Sequence, residues 1–263
     1  MVYAEARKRR KENQGLWQGY GEDKMSKIRK DLIPETITKE DFAETITNHK
    51  FDLKEDFRSK WYYLLSERLD VFRNNRVENY KMSDDEAILY VAFISQWNRA
   101  NRKITELAYD DFKGFMTKNN LKFIRVGEGK IETLQINDEK IKGMVVDLAQ
   151  NLKNIKGIGW VGATKILHMR LPEFFVPIDN AIAEQNVYRI DNGRDFGKTY
   201  FDFLCKVSRR FNTVIDVWKN NSEIKIGSFN KEKTFAKAID EYNFLKVHNT
   251  EKRDDKSSSV VHG

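Results

Sequence analysis

The sequence predicts a mainly α protein, a two-lobed helical bundle that carries two helices joined by a glycine hairpin and one small β-hairpin. Charged residues make up 33% of the 263, beside 3 Pro and 14 Gly, a composition that suits long solvated helices better than a turn-rich β-sandwich. Apolar residues return at helical spacing through most of the chain. Residues 152 to 170 then read as a helix, a Gly-Ile-Gly turn and a second helix. With 40% hydrophobic and 12% aromatic residues there is enough apolar side chain for a real core. A chain of 31.0 kDa fits one helical domain or two closely packed lobes.

Residues 1 to 33 form a basic arm. The first 30 hold nine Lys and Arg against four acids, so +5 of the net +7 lies there. A solvated arm and a DNA-contacting arm are about equally expected from such a run. Residues 34 to 248 carry the helical domain. Phe57, Trp61, Leu64, Leu65 and Phe72 share a face of a helix over about 54 to 74. Ser83 and Glu86 have capping-box spacing and open a helix that reaches about 98, with Ile88, Val91, Ala92 and Ser95 on one face. LKFIRV and KIETLQI, two β-rich runs around Gly127-Glu128-Gly129, predict the β-hairpin. Ile141, Met144, Val145, Leu148 and Leu152 stripe the next helix. Three further stripes follow: Phe196, Tyr200, Phe203, Leu204 and Val207; Phe211, Val214, Ile215 and Trp218; and Phe235, Ala238, Ile239, Tyr242 and Leu245. Residues 249 to 263 lack periodicity and predict a disordered tail.

Several function classes are set aside. Cys205 is the only cysteine, so an intramolecular disulfide, a thiolate zinc site and an iron–sulfur cluster are excluded, and a reducing compartment is implied. No run approaches the roughly 20 apolar residues of a spanning helix, and MVYAEARKRRKEN has no apolar secretion segment. A soluble intracellular protein is expected, with no membrane contact, no metal and no cofactor. A pI near 9.2 makes a polyanion the natural partner, nucleic acid first.

The segment richest in chemistry is LKNIKGIGWVGATKILHMRLPEFFVPIDNAI, residues 152 to 182. Gly157 and Gly159 let the chain turn tightly and bring backbone N–H groups close to a ligand, and the following helix adds the positive end of its dipole. A phosphate oxygen suits such a nest. Between residues 140 and 175, Lys140, Lys142, Lys153, Lys156, Lys165 and Arg170 face only Asp147 and Glu173. His168, without a partner at metal spacing, reads as a helix-surface histidine.

This segment resembles the helix-hairpin-helix (HhH-GPD) DNA glycosylase superfamily over roughly residues 83 to 220. The family's Leu-Pro-Gly-Val/Ile-Gly hairpin and Ala-containing helix appear as Ile155-Lys156-Gly157-Ile158-Gly159 with Ala163. Its loop with the essential aspartate appears as Val176-Pro177-Ile178-Asp179, Asp179 falling twenty residues after Gly159. The resemblance implies a hairpin loop over 152 to 170 that grips duplex DNA through Lys156, Gly157, Ile158, Gly159, Val161 and Lys165. It implies a loop over 172 to 180 that presents Asp179 as the catalytic carboxylate. Phe93-Ile94-Ser95-Gln96-Trp97-Asn98 resembles the segment that fills the gap left by a flipped base, which makes Gln96, Trp97 and Asn98 wedge or pocket candidates. Trp160, just after the hairpin, and Tyr90 are stacking candidates.

This sequence departs from the family pattern in ways that narrow the chemistry. Members with lyase activity carry a lysine where this chain has Val161, which favours a monofunctional enzyme. The family's cluster cysteines are absent. Lys156 replaces a proline, and Gly162 lowers helix propensity by about 1 kcal/mol. Cleaving an N-glycosidic bond builds positive charge on the sugar, which a fixed carboxylate stabilises. Asp179 also stands where an ordinary helix N-cap would. The expectation is thus a monomeric, monofunctional DNA glycosylase that excises a damaged or modified base from double-stranded DNA, in repair or in defence against viral DNA. A non-catalytic DNA-binding protein is one alternative, and a glycosylase/lyase using Lys165 as amine nucleophile is the other.

Overall fold

The structure, a computed structural model, describes residues 32–48, 57–73, 79–97, 108–185, 188, 190–191, 193–225 and 232–248. The expected basic arm up to residue 31, the tail over 249–263 and Asn98 lie outside them, as do the side chains of Gln96 and Trp97. The described residues from Ile33 on belong to one compact unit. It is mainly helical, and among the described residues there is no β-strand.

In chain order the helices are α1 (Lys39–Asn48), α2 (Phe57–Arg73), α3 (Asp84–Trp97), α4 (Tyr109–Lys118), α5 (Asn120–Val126), α6 (Glu139–Asn154), α7 (Gly159–Arg170), α8 (Asn180–Ala183), α9 (Phe196–Phe211), α10 (Ile215–Asn220), α11 (Ser222–Lys225) and α12 (Phe235–His248). The expected β-hairpin is absent. LKFIRV lies in α5, with Asn120, Phe123 and Val126 buried at helical spacing, and Ile131–Thr133 forms a 3-10 turn. Tertiary packing overrides the β propensity of this run.

α3 starts as its sequence implies, Ser83 Oγ accepting the Glu86 N–H at 3.1 Å. The second half of the capping box does not form, because the Glu86 carboxylate turns inward to the Tyr80 hydroxyl and to Arg170, 3.4 Å away. The buried face is therefore Ala87, Tyr90, Phe93 and Ile94, while Ile88 is 56% exposed. In α2 the stripe is likewise rotated: Tyr62, Tyr63, Leu65 and Leu69 are buried and Leu64 faces solvent.

α6 begins at Asp138, whose carboxylate accepts the Ile141 N–H at 3.0 Å, and buries Val145, Leu148, Ala149 and Leu152. It packs against α9. The Gln150 side chain accepts the Gly197 N–H at 3.1 Å, and a Cβ at Gly197 would lie 2.4 Å from the Val146 carbonyl. Only glycine permits that approach. On α9, Phe196, Tyr200 and Phe203 stack in sequence with centroids 5.8 and 5.9 Å apart. Around Phe42, the rings of Phe211, Phe235 and Tyr242 join α1, α9 and α12.

α7 runs through the middle, and every residue from Gly162 to Arg170 is buried. A helix buried all round must be apolar or have its polar groups partnered. Arg170 donates to Asn120 at 2.8 Å, meets Glu86 and lies over the Tyr80 ring. His168 is wholly buried between the Tyr62 hydroxyl at 2.7 Å and the Phe175 carbonyl at 2.6 Å, which overturns its reading as a surface histidine.

Candidate functional site

α6 and α7 are joined by a tight turn over residues 155–158 in which the Ile158 N–H bonds the Ile155 carbonyl at 3.1 Å. Gly157 has φ 90° and Gly159 φ 64°, both in the left-handed region that a side chain disfavours. Ile158 is buried and plugs the turn from beneath, whereas Lys156 and Gly159 are exposed. The Lys156 carbonyl accepts the Ala108 N–H at 3.1 Å. Among the described residues no side chain caps the start of α7, whose first turn carries backbone N–H groups and the positive end of a 12-residue helix.

The positive neighbourhood counted along the sequence is thinner in space. Lys153 donates to the Gly193 carbonyl and lies 5.8 Å from the Phe196 ring centre. Lys142 pairs with Glu139 at the far end of α6. Lys165 is only 6% exposed and stands near Asp240 of α12, whose ionised form it favours. Lys165, expected as a phosphate contact, thus has its side chain almost wholly buried. Lys156 remains the exposed cation on the turn itself.

The segment from Leu171 to Asp179 is pinned carbonyl by carbonyl. Thr234 Oγ1 donates to Pro172 O at 2.7 Å, the Ile131 N–H to Glu173 O at 3.1 Å and the Tyr200 hydroxyl to Val176 O at 2.9 Å. His168 holds Phe175 O, and since a carbonyl only accepts, the proton is on Nδ1 and Nε2 accepts from Tyr62. Burial keeps this ring neutral, its pKa lowered from 6.5 to about 3. Thr164 Oγ1 meets both Ile178 O and Ile178 N at 3.3 Å.

These contacts fix where Asp179 arrives. Phe175 is tied to His168 and Ile178 to Thr164, one helical turn earlier, so the segment runs antiparallel to α7 and delivers Asp179 toward the first turn of that helix. There Asp179, half-exposed, caps α8 through Oδ1, which accepts the Ile182 N–H at 2.9 Å. The end of α3 reaches the same place: the Cβ position of Gly162 is 3.8 Å from Ile94 and 3.3 Å from Ile158. The glycine turn, the aspartate segment and the end of α3 thus converge on the first turn of α7.

Trp160, half-buried, leans on Phe196 with centroids 6.2 Å apart, which is partial packing rather than a ring open on both faces. Tyr90 is fully buried. Val161 is half-buried on the first turn of α7. Sequence reasoning did not foresee Thr164, His168 and Tyr200 as the groups that hold the aspartate segment. Their signal is a polar residue set in an otherwise apolar helical stripe. Among the described residues no three His, Cys, Asp or Glu gather as a metal site, and no helix is long and apolar enough to cross a membrane. Comparison with protein-family models, curated proteins and solved structures gives no match for this chain.

Proposed function

We propose that the protein is a monofunctional DNA glycosylase that flips a damaged or modified base out of duplex DNA and hydrolyses its N-glycosidic bond. The observation that carries this reading is the placement of Asp179, a half-exposed carboxylate on a segment pinned to α7 and delivered beside the glycine turn. In this reading α6, the turn and α7 act as the helix-hairpin-helix. Backbone N–H groups at Gly157, Gly159 and Val161 meet a phosphate, with Lys156 adding charge. A two-lobed arrangement is part of the same proposal, with the end of α3 and Asp179 facing the DNA. Gln96, Trp97 and Asn98 stand as the groups that fill the gap left by the base.

The chemistry suits a carboxylate held still. Charge that develops on the sugar at C1′ meets Asp179, which can also orient the attacking water. Capping keeps the side chain in one rotamer, so Asp179 serves both roles at once. Extrusion of the base costs a few kcal/mol, least for a damaged or mispaired base. A lyase step needs a neutral amine. Lys165 is the candidate for that role.

Asp179→Asn separates the enzyme from a plain DNA-binding protein. Asparagine caps a helix about as well as aspartate, so the melting temperature should stay the same while charge stabilisation is lost. Duplexes with a panel of lesions, and viral DNAs with modified bases, would be incubated with both proteins and then treated with alkali. Alkali-dependent breaks that fall by about 100-fold or more in the variant support the glycosylase. A DNA-binding protein would give no breaks with either form while both bind DNA in a salt-sensitive way.

A further inference from the structure

A groove of about 660 Å³ opens between residues 35–37 and the last turn of α9, at the end of that helix away from Trp160. Lys206, Arg209 and Arg210 line it together with the hydroxyl-bearing Thr36 and Thr213, and Glu35 is the carboxylate on its wall. The three cations stand at i, i+3 and i+4, where like charges on one helical face repel each other. Among the described residues none of them has an ion-pair partner. Position near a helix C-terminus accounts for the charge of Arg209 and Arg210, but not for Lys206 a turn earlier. It also leaves one guanidinium unanswered. Arg210 Nε and Nη2 are shielded from solvent and meet no acceptor among the described residues, while its carbon lies 5.6 Å from the Tyr188 ring centre. The Tyr188 hydroxyl faces the Asn243 side chain on the inner side of this guanidinium. Burying donors this way is costly, and an anion in the groove would offset part of that cost through its charge, without reaching the shielded atoms.

We propose that this groove is a second anion site that binds a phosphate group, with Lys206, Arg209 and Arg210 supplying the charge, Arg210 donating through Nη1, and Thr36 adding a hydroxyl. Guanidinium and ammonium donors with a hydroxyl beside them match the oxygens of phosphate, and the volume is that of a nucleotide-sized ligand. The phosphate is either a phosphodiester of DNA or a free mononucleotide or phosphate ion. The site does not depend on Asp179, so it stands or falls apart from the glycosylase reading.

The test uses the full chain, a Lys206→Gln/Arg209→Gln variant at exposed or half-exposed positions, and Arg210→Lys, which keeps the charge and removes the guanidinium. Melting is followed in inorganic phosphate against chloride at matched ionic strength, and binding of a fluorescein-labelled 20-base-pair duplex is followed against salt. A phosphate-dependent rise in melting temperature in wild type, lost in both variants, is the expected result. If the phosphate belongs to DNA, the Lys206→Gln/Arg209→Gln variant also lowers the slope of log K against log salt by about two, near 0.9 for each contact. An unchanged slope with phosphate stabilisation intact in wild type assigns the groove to a free phosphate ligand. No phosphate effect on wild type together with an unchanged slope overturns the proposal, and the double variant decides the matter if Arg210→Lys does not fold.

Discussion

Acidification should unfold this protein through His168. The ring is wholly buried, with Nδ1–H on the Phe175 carbonyl and Nε2 on the Tyr62 hydroxyl, and burial lowers its pKa from 6.5 to about 3. A folded-state pKa below the unfolded one gives stability that is complete above pH 6.5 and declines as pH falls toward 3, because the unfolded chain takes up a proton that the folded one refuses. Each pH unit in that window costs about 1.4 kcal/mol. From pH 7 to pH 5 the loss comes to about 2 kcal/mol from this group. His168→Gln supplies a donor for Phe175 and an acceptor for Tyr62 without a titrating ring. Urea unfolding followed by circular dichroism at pH 7 and pH 5 then gives two drops, one per protein, and carboxylates contribute equally to both. Wild type should lose about 2 kcal/mol more than the variant. Equal drops would refute the reasoning, since the histidine would then titrate alike in the folded and unfolded chains.

Gly197→Ala places a methyl 2.4 Å from the Val146 carbonyl, a backbone atom that cannot swing aside, so α6 and α9 must part at a cost of about 3 kcal/mol. Gly143→Ala, with nothing within 4 Å, is the control and should stabilise by about 0.5–1 kcal/mol; similar urea midpoints for the two would sink the close-approach argument. Glu86→Gln removes the charge that answers Arg170 inside the core, where both side chains are at most 5% exposed. The expected loss is about 3 kcal/mol, and pairing it with Arg170→Met should recover part of that loss, which a double-mutant cycle would read.

The helical stripes were legible where a helix has one dry face. Phe196, Tyr200, Phe203, Leu204 and Val207 are all buried as their spacing implies, as are Phe235, Ala238, Ile239, Tyr242 and Leu245. Legibility failed where burial is two-sided or borrowed from elsewhere. α7 has no wet face from Gly162 on, so periodicity there carries no information and His168 looked like a surface residue. LKFIRV has the composition of a strand, yet Lys122 pairs with Asp147 of α6 and Phe123 and Val126 are buried on one helical face. The aspartate segment was visible as Pro-Ile-Asp before a helix. The hydroxyls and the imidazole that hold it came from helices distant in sequence, and a single chain offers no way to pair them in advance.

α9 fixes a length. Its stacked rings begin beside Trp160 at the glycine turn and continue toward Tyr188 and the basic groove at the other end. Sixteen residues of helix span about 24 Å, and close packing on α6 leaves no slack in that distance. Turn and groove therefore act as the two marks of a ruler. A B-form duplex lying along this helix and touching both would span about seven steps at 3.4 Å each.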